Sequence, residues 1–416
     1  MEVQRDKYKA RALKMMIISA LFIPGFIVLL IIGNHSSLLI NQTIKTIVEV
    51  LLGISTGLFI AGAWLFFKRK KKHSISVKKT VLFGGFMSVY VAGCAALIFL
   101  LYGPFSGFRD WLVTTAMATM NHKHYCQWFY NDEEINEVFS RNYIQETGES
   151  TDVSLIEINS GEVNVDTYAN EYERQVLEHE EGQIYKIINL KVNGCNGYLA
   201  VIYDPSKVSV TTTKYVGRAG QYVTTMAKRE NAVLAINGGG FKDPGHSSTG
   251  GMPRGITIVD GKIITNNEYG RASTGGIIGL TKDNKLVLLK NTTAKQALEK
   301  GVRDAVSWGP FLIVNGKAAF TAGNGGWGYA ARTAIGQRKD GIILMLVVDS
   351  NYNRTKGASM VDMTEIMQRY GAYNAANLDG GTSSVMVENG KMISHPIDGA
   401  LRPQTRAIAT AFIVTE

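Results

Sequence analysis

Three long apolar stretches lie near the N-terminus, and short apolar runs separated by glycine-rich segments make up most of the remaining chain. The uncharged stretches cover residues 15–33, 50–67 and 80–102. A hydrocarbon core of roughly 30 Å takes about 20 apolar residues of helix, so each stretch is long enough to cross a bilayer. Three in succession, bracketed by charge, favour membrane spans over buried core helices, and a lipid bilayer is the first predicted partner.

Positive charge is concentrated around these stretches. Residues 1–80 contain 13 Lys and Arg against 3 Asp and Glu, whereas the whole chain carries a net charge of +9. The basic residues lie in the N-terminal tail and in loop 68–79, and only Lys45 lies between the first two spans. This distribution predicts a cytoplasmic N-terminus and an extracytoplasmic location for everything after residue 102. Because the charge belongs to the anchor, it does not indicate nucleic-acid binding.

The chain is predicted to have three parts. Residues 1–102 form the membrane anchor, residues 103–182 a membrane-proximal helix (111–144) and a linker (148–181), and residues 183–416 an outer domain. Cys126 and Cys195 lie beyond the spans, and a disulfide between them and two unpaired thiols both fit the sequence.

The outer domain alternates apolar runs with turn residues, which predicts the α+β class, with a mixed β-sheet and packed helices. The run 341–348 is apolar throughout, as expected of a buried central strand, and Asp260-Gly261 predicts a hairpin turn. Helical spacing of apolar residues predicts a helix over 360–370. The predicted strands cover residues 198–203, 232–236, 255–259, 262–265, 341–348 and 408–414.

One segment, AANLDGGTSSVMV at residues 375–387, carries the strongest candidate chemistry. An apolar run delivers Asp379 to Gly380 and Gly381, and a carboxylate beside glycines that let a ligand approach the backbone indicates a site. Asp-Gly is equally typical of a hairpin turn, which is the alternative. Asp349 also ends an apolar run, and an Asx turn is its alternative.

Six segments in order resemble the phosphodiester glycosidase family. They are AINGGGF (235–241), MPRGITIVDGKII (252–264), WGPFLIVNGK (308–317), ARTAIGQ (331–337), NLDGGTSS (377–384) and RAIATAFIV (406–414). The family usually has a third glycine where this chain has Thr382. A β-branched residue does not easily adopt a positive φ, so either that position is ordinary or the loop is reshaped.

The resemblance implies hydrolysis of a sugar–phosphate bond through an oxocarbenium-like state, for which glycosidases commonly use two carboxylates. Asp379 then ranks first and Asp349 second as catalytic residues, ahead of Asp243 and Glu268. Arg332 leads as the phosphate ligand, because a guanidinium group matches two phosphate oxygens. The other expected substrate-binding residues are Asn237, Gly238, Gly239, His246, Arg254, Thr333, Gly380, Gly381, Ser383 and Arg406.

No metal site is assigned, although Asp379, Asp349 and backbone carbonyls are ligands of the kind that Ca²⁺ or another divalent cation prefers. The implied substrate is a phosphodiester-containing surface glycan of the cell envelope, such as teichoic acid or exopolysaccharide. Two other functions fit the sequence. One is a non-catalytic glycan-binding module, which the Thr382 departure favours. The other is a subunit of a polymer-export assembly, because three spans exceed what anchoring needs.

Overall fold

The computed structural model describes residues 2–36, 42–67, 77–119, 123–158, 168–242, 249–267, 275–353, 355–398 and 401–416. The chain divides into two compact units, Met1–Ser140 and Arg141–Glu416. His246, Asp243 and Glu268 lie outside the described residues.

The N-terminal unit is helical. Three of its helices contain segments long and apolar enough to cross a membrane, Ala10–His35, Ile44–Phe66 and Val81–Tyr102, as the apolar pattern predicts. Its helices are α1 (Glu2–His35), α2 (Gln42–Phe67), α3 (Val77–Tyr102), α4 (Ser106–Met117), α5 (Lys123–Gln127) and α6 (Asp132–Arg141).

The single helix predicted over 111–144 is wrong, because α4, α5 and α6 divide that region. Asn131 starts α6: its side chain accepts from the backbone N–H of Glu134 at 2.9 Å, and the Glu134 side chain accepts from the Asn131 N–H at 3.1 Å. This reciprocal cap begins a new helix where the pattern suggested continuity. Cys126 and Tyr130 are buried in the small core of this unit.

The outer unit contains the remaining elements. Its helices are α7 (Glu171–Leu177), α8 (Val223–Arg229), α9 (Ala294–Glu299) and α10 (Met360–Arg369). The first strands are β1 (Tyr143–Gln145), β2 (Tyr185–Val192), β3 (Cys195–Ile202), β4 (Val208–Thr212), β5 (Ala232–Asn237), β6 (Phe241–Lys242), β7 (Met252–Pro253), β8 (Ile256–Val259), β9 (Lys262–Asn266) and β10 (Gly276–Thr281). The later strands are β11 (Leu286–Leu289), β12 (Val302–Trp308), β13 (Phe311–Val314), β14 (Lys317–Ala318), β15 (Phe320–Ala322), β16 (Arg332–Arg338), β17 (Ile343–Val348), β18 (Ala372–Asn377), β19 (Met386–Glu388), β20 (Lys391–Met392) and β21 (Thr410–Thr415).

Three larger sheets organise this unit and confirm the α+β class. The seven-stranded sheet has the order β14-β13-β18-β16-β17-β3-β2. Two five-stranded sheets have the orders β20-β19-β5-β21-β4 and β11-β10-β12-β8-β9. One face of the seven-stranded sheet packs against α10, and the other packs against strands of both five-stranded sheets. The sheet is therefore buried on two sides.

Several local predictions are confirmed. All six residues of β17 are buried between β16 and β3, as expected of a central strand. Helix α10 starts with a capping box in which Ser359 and Asp362 exchange hydrogen bonds, and Gly371 follows its end with φ 80°. Asp260 and Gly261, with φ of 49° and 71°, turn β8 into β9. Positive φ at both turn residues is what this hairpin turn requires.

The region predicted as a linker contributes to the core. Val176 and Leu177 of α7 are buried, and Tyr203 donates a hydrogen bond to the Val176 carbonyl at 2.9 Å. The thiols of Cys126 and Cys195 are free in the structure, and both residues are buried.

Candidate active site

The leading candidates gather at one edge of the seven-stranded sheet. Strand β16 runs antiparallel to β17 and β18, and Arg332 at its start lies opposite Val348 at the end of β17. The start of β16 is therefore beside the ends of both neighbours. Asp349 directly follows β17, and Asp379 follows β18 after one intervening residue. The sheet order thus brings both predicted carboxylates and the predicted phosphate ligand to the same edge.

Asp379 lies among hydrogen-bond donors and positive charge. Its carboxylate accepts from the Ser383 hydroxyl and from the backbone of Gly380, and it interacts with the charges of Arg406 and Arg332. Burial nevertheless raises the pKa of Asp379 to about 6, from the ordinary value of 3.8. An acid with this pKa changes its charge close to neutral pH, which is typical of catalytic carboxylates.

Arg332 is buried, and most of its donors bind backbone carbonyls. Its Nε donates to the Ala358 carbonyl at 3.2 Å, and Nη2 donates to the carbonyls of Trp327 and Gly328. Burial lowers the pKa of Arg332 to about 10, whereas the Asp379 charge acts in the opposite direction. A Cβ added at Gly380 would lie 3.4 Å from Nη1. Arg332 therefore fixes the preceding loop while its charge acts on Asp379.

Buried hydrogen bonds that involve Asn237 and Thr333 hold residues 379–385, which we call the Asp379 loop. Asn237 is fully buried, and its Nδ2 donates to the Asp379 carbonyl at 2.7 Å. Its Oδ1 accepts from the Thr333 hydroxyl at 2.7 Å and from the Val385 N–H at 3.1 Å. The amide thereby ties both ends of the loop to β5. Both residues are placed to position Asp379, and direct contact with a sugar stays a prediction for them.

Glycine occupies these positions of the site for different structural reasons. Gly238 and Gly239 lie against Thr410, which accepts from the Gly238 N–H through its carbonyl and from the Gly239 N–H through its hydroxyl. At Gly240 a Cβ would lie 1.8 Å from the Trp308 ring, so the backbone there is packed by protein. Gly381 instead has φ 63° and open space around the position of a Cβ.

Thr382 does not strain the loop. It lies in a short 3-10 helix, Gly381–Ser383, and the positive φ of that helix belongs to Gly381. Of the two alternatives for this departure from the family pattern, the ordinary backbone position is the one observed.

The remaining predicted ligands differ in position. The guanidinium carbon of Arg406 lies 4.6 Å from the centre of the Phe241 ring, and its charge reaches Asp379. The Arg254 side chain is exposed, and its backbone N–H donates to the Gly240 carbonyl at 2.8 Å. Arg406 thus belongs, with Arg332 and Ser383, to the side chains that act on Asp379, which we call the Asp379 cluster.

Asp349 has a different set of partners. Its Oδ1 accepts from the backbone N–H of His395 at 2.9 Å, and the hydroxyl of Tyr198 is also close. Burial raises the pKa of Asp349, and these two partners oppose that shift. Sequence reasoning missed His395 and Tyr198, because their contacts span 46 and 197 residues and follow no local pattern.

Among the residues that the structure describes, no three His, Cys, Asp or Glu side chains form a cluster that could hold a metal ion. An acid that titrates near neutrality, with two guanidinium groups acting on it, defines a carboxylate site suited to an anionic substrate.

The comparisons with known proteins agree with this class of site. Residues 230–415 match the family model described as phosphodiester glycosidase. The match contains Asn237, Arg332, Asp349, Asp379 and Arg406. The family resemblance inferred from the six motifs is confirmed.

Individual relatives cover parts of the chain. The SPbeta prophage-derived uncharacterized protein YomE of Bacillus subtilis (strain 168) is 32% identical over 207 residues, which are 48% of this chain and 31% of that protein. The N-acetylglucosamine-1-phosphodiester alpha-N-acetylglucosaminidase of Bos taurus is 26% identical over 186 residues, 42% of this chain and 35% of that protein. This chain therefore spans about a third of the length of these two relatives.

Among solved structures, the zebrafish N-acetylglucosamine-1-phosphodiester alpha-N-acetylglucosaminidase catalytic domain, auto-inhibited by its pro-peptide, aligns with a TM-score of 0.46 and 24% identity. The alignment covers 57% of this chain and 85% of that chain.

Proposed function

We propose that this protein is a membrane-anchored hydrolase that cleaves the bond between a sugar and phosphate in sugar-1-phosphodiesters of cell-surface glycopolymers or exopolysaccharide. The observation that carries the proposal is the surroundings of Asp379. This acid lies within the residues that match the family model, and the positive charges of Arg332 and Arg406 act on it. The name of the Bos taurus relative supports the substrate class, since it describes hydrolysis of a sugar-1-phosphodiester.

In this proposal Asp379 acts as a carboxylate against the positive charge that develops at the anomeric carbon. Charge of that kind is typical of glycoside hydrolysis. We assign the phosphate to Arg406, whose charge acts on Asp379, and a positioning role to Arg332, which donates from Nε and Nη2 to backbone carbonyls. The guanidinium group of Arg406 can bind two phosphate oxygens and favour departure of the phosphate. The open space at Gly381 leaves room for the substrate beside the acid.

The proposed location follows from charge. Lys and Arg are concentrated in residues 5–14 and 68–79, and this distribution predicts that both segments lie on the cytoplasmic side. Three spans then put the outer unit on the opposite side of the membrane. Envelope polymers joined by phosphodiesters are the substrates available there.

The test uses the full chain in detergent micelles with defined sugar-1-phosphodiesters. We expect release of free sugar, and we expect Asp379→Asn to lower kcat by about 10²–10⁴-fold, the usual range for loss of an ionisable catalytic group. Asp283→Asn is the matched control, since Asp283 is exposed in the turn after β10. No release by the unmodified chain, or equal release by Asp379→Asn, would contradict the proposal. Binding of the diester without turnover would instead identify a glycan-binding module.

A further inference from the structure

The partners of Asp349 form a second cluster of ionisable groups. Asp349 is only 3% exposed, and its Oδ2 lies 3.4 Å from Nδ1 of His395 without forming a hydrogen bond. The hydroxyl of Tyr198 lies 3.0 Å from the same nitrogen. One edge of the imidazole is therefore held between a buried carboxylate and a phenol.

Much of this imidazole is open to solvent, because the His395 side chain is 70% exposed. An exposed histidine is common by itself, but a carboxylate is rarely buried unless it is paired. A buried acid beside one ring nitrogen of an otherwise exposed imidazole is an arrangement in which the histidine can act as a general base.

Backbone pairing places His395 beside the Asp379 loop. The N–H of Ile393 donates to the Met386 carbonyl at 3.0 Å, and the N–H of Met386 donates to the Ser394 hydroxyl at 2.8 Å. The residue before Met386, Val385, is held by the same Asn237 amide that binds the Asp379 carbonyl. Residues 393 and 394, just before His395, therefore lie beside the end of the Asp379 loop.

Tyr198 also borders an open groove of about 570 Å³. Tyr185 and Glu388 line the groove, and the Tyr185 hydroxyl donates to Glu388 Oε1 at 3.1 Å. Binding sites for small molecules commonly have this size and combine apolar or aromatic surface with a few fixed polar groups. The groove therefore gives a ligand space close to the held imidazole.

We propose that His395 is the general base for the water that hydrolyses the glycosyl–phosphate bond, with Asp349 and Tyr198 as positioning residues. The inference rests on the proposed function, and it gives Asp349 a supporting role in place of the direct one predicted from the sequence. The water oxygen bonds to the anomeric carbon while the bond from that carbon to the phosphate oxygen breaks. The electron pair of the breaking bond leaves with the phosphate. One proton of the water passes to the exposed imidazole nitrogen and from there to solvent.

The experiment measures sugar release by the full chain in detergent micelles. His395→Ala is expected to lower kcat by about 10²–10⁴-fold, as for loss of a general base, with KM little changed. Added imidazole is expected to restore part of kcat, because removal of an exposed ring leaves a gap that imidazole can enter. Asp349→Asn and Tyr198→Phe are expected to lower kcat at constant KM without rescue by imidazole, since their histidine is still present.

His179→Ala is the matched control. Its ring stacks on Tyr203 at 3.8 Å between ring centres, away from the Asp379 and Asp349 clusters, and we expect full activity. His395→Gln provides a second variant if the alanine variant unfolds. Unchanged kcat, or a loss that imidazole does not restore, would overturn the role of His395. If Asp379→Asn still abolishes turnover in that case, the proposed function stands. Absence of turnover by the unmodified chain would remove both.

Discussion

Burial makes the ionised form of Asp379 unfavourable to the stability of the folded protein. Burial raises its pKa to about 6, although Ser383, Arg406, Gly380 and Arg332 all favour the ionised form. The unfolded chain releases this proton near the ordinary value of 3.8, so between that pH and about 6 the folded state holds more protons. The contribution of Asp379 to stability is therefore lost as the pH rises through this window.

Replacing the acid should for this reason stabilise the protein at neutral pH. An asparagine stays uncharged, so we expect Asp379→Asn and the unmodified chain to unfold at similar temperatures near pH 4. At pH 7.5 the variant should be more stable by up to about 3 kcal/mol, at roughly 1.4 kcal/mol for each pKa unit. Thermal unfolding of both proteins at the two pH values measures the difference. A variant that is less stable than the unmodified chain at pH 7.5 would show that Asp379 is held as a favourable ion.

At the residue scale the sequence predicts positions that local chemistry determines. Asp379 follows an apolar run and precedes two glycines, a local signal for a carboxylate at the end of a strand. The buried contacts of Asn237 with Thr333 and Asp379 span 96 and 142 residues, so its positioning role has no local signal. His395 was missed for the same reason, because only the folded sheet brings Asp349 to it.

At the scale of elements, strong periodicity was sufficient for α10, β17 and the β8–β9 hairpin. The failures lie between residues 111 and 181, where single apolar residues contribute to the fold without a repeating pattern. Ile156 is an example, since it is 1% exposed whereas its apolar neighbours Leu155 and Ile158 are 54% and 38% exposed. Apolar residues without a regular spacing give no period from which helix or strand can be inferred.

The segment after β1 is bound to the outer unit by a buried acid. The side chain of Glu146 is 2% exposed, and Oε1 accepts from the backbone N–H groups of Gly275 at 2.6 Å and Phe311 at 2.7 Å. Its Oε2 forms an ion pair with Lys290. These contacts and the β1–β15 pairing make residues 141–158 part of the outer unit.

The boundary between anchor and outer domain can therefore be tested with two fragments. We expect residues 141–416 to fold alone with a single cooperative thermal transition. A fragment of residues 183–416 lacks Glu146, Ile156 and α7, and should unfold at a temperature lower by at least about 5 °C or aggregate, since loss of buried side chains commonly costs several kcal/mol. Equal unfolding temperatures would support the predicted boundary at residue 183.

At the scale of the whole molecule, the order of the strands could not be predicted from the sequence. Strands β3 and β17 of the seven-stranded sheet have a local apolar signal, but that signal does not show that β17 lies beside β3, or that β18 lies between β13 and β16. Pairings this distant depend on which surfaces fit after collapse, and loop-closure entropy changes too slowly with length to select them. The convergence of Arg332, Asp349 and Asp379 at one edge follows from that order and becomes visible only in the fold.

The topology that we propose for the three candidate spans, in contrast, is a prediction from length and charge alone, and reporter fusions can test it. A fluorescent protein that matures only in the cytoplasm should be bright when it is inserted within residues 68–76 and dark when it is fused to the C-terminus. Alkaline phosphatase, which is active only outside, should give the opposite pattern. The expectation comes from the charge distribution, which predicts that the basic residues before the first and third spans lie on the cytoplasmic side and the outer unit on the opposite side.

Deletion of α3 sharpens this test. Removing Val77–Tyr102 leaves two candidate spans. The C-terminal fluorescent fusion should then become bright, and the C-terminal phosphatase fusion should lose its activity, while the protein still inserts into the membrane. Sugar release from polymer at the cell surface should disappear with it, although the same protein in detergent keeps its turnover. If the C-terminal fluorescent fusion is already bright in the unmodified chain, the outer unit lies in the cytoplasm. Surface glycans are then inaccessible to Asp379, and the substrate must be an intracellular sugar-1-phosphodiester.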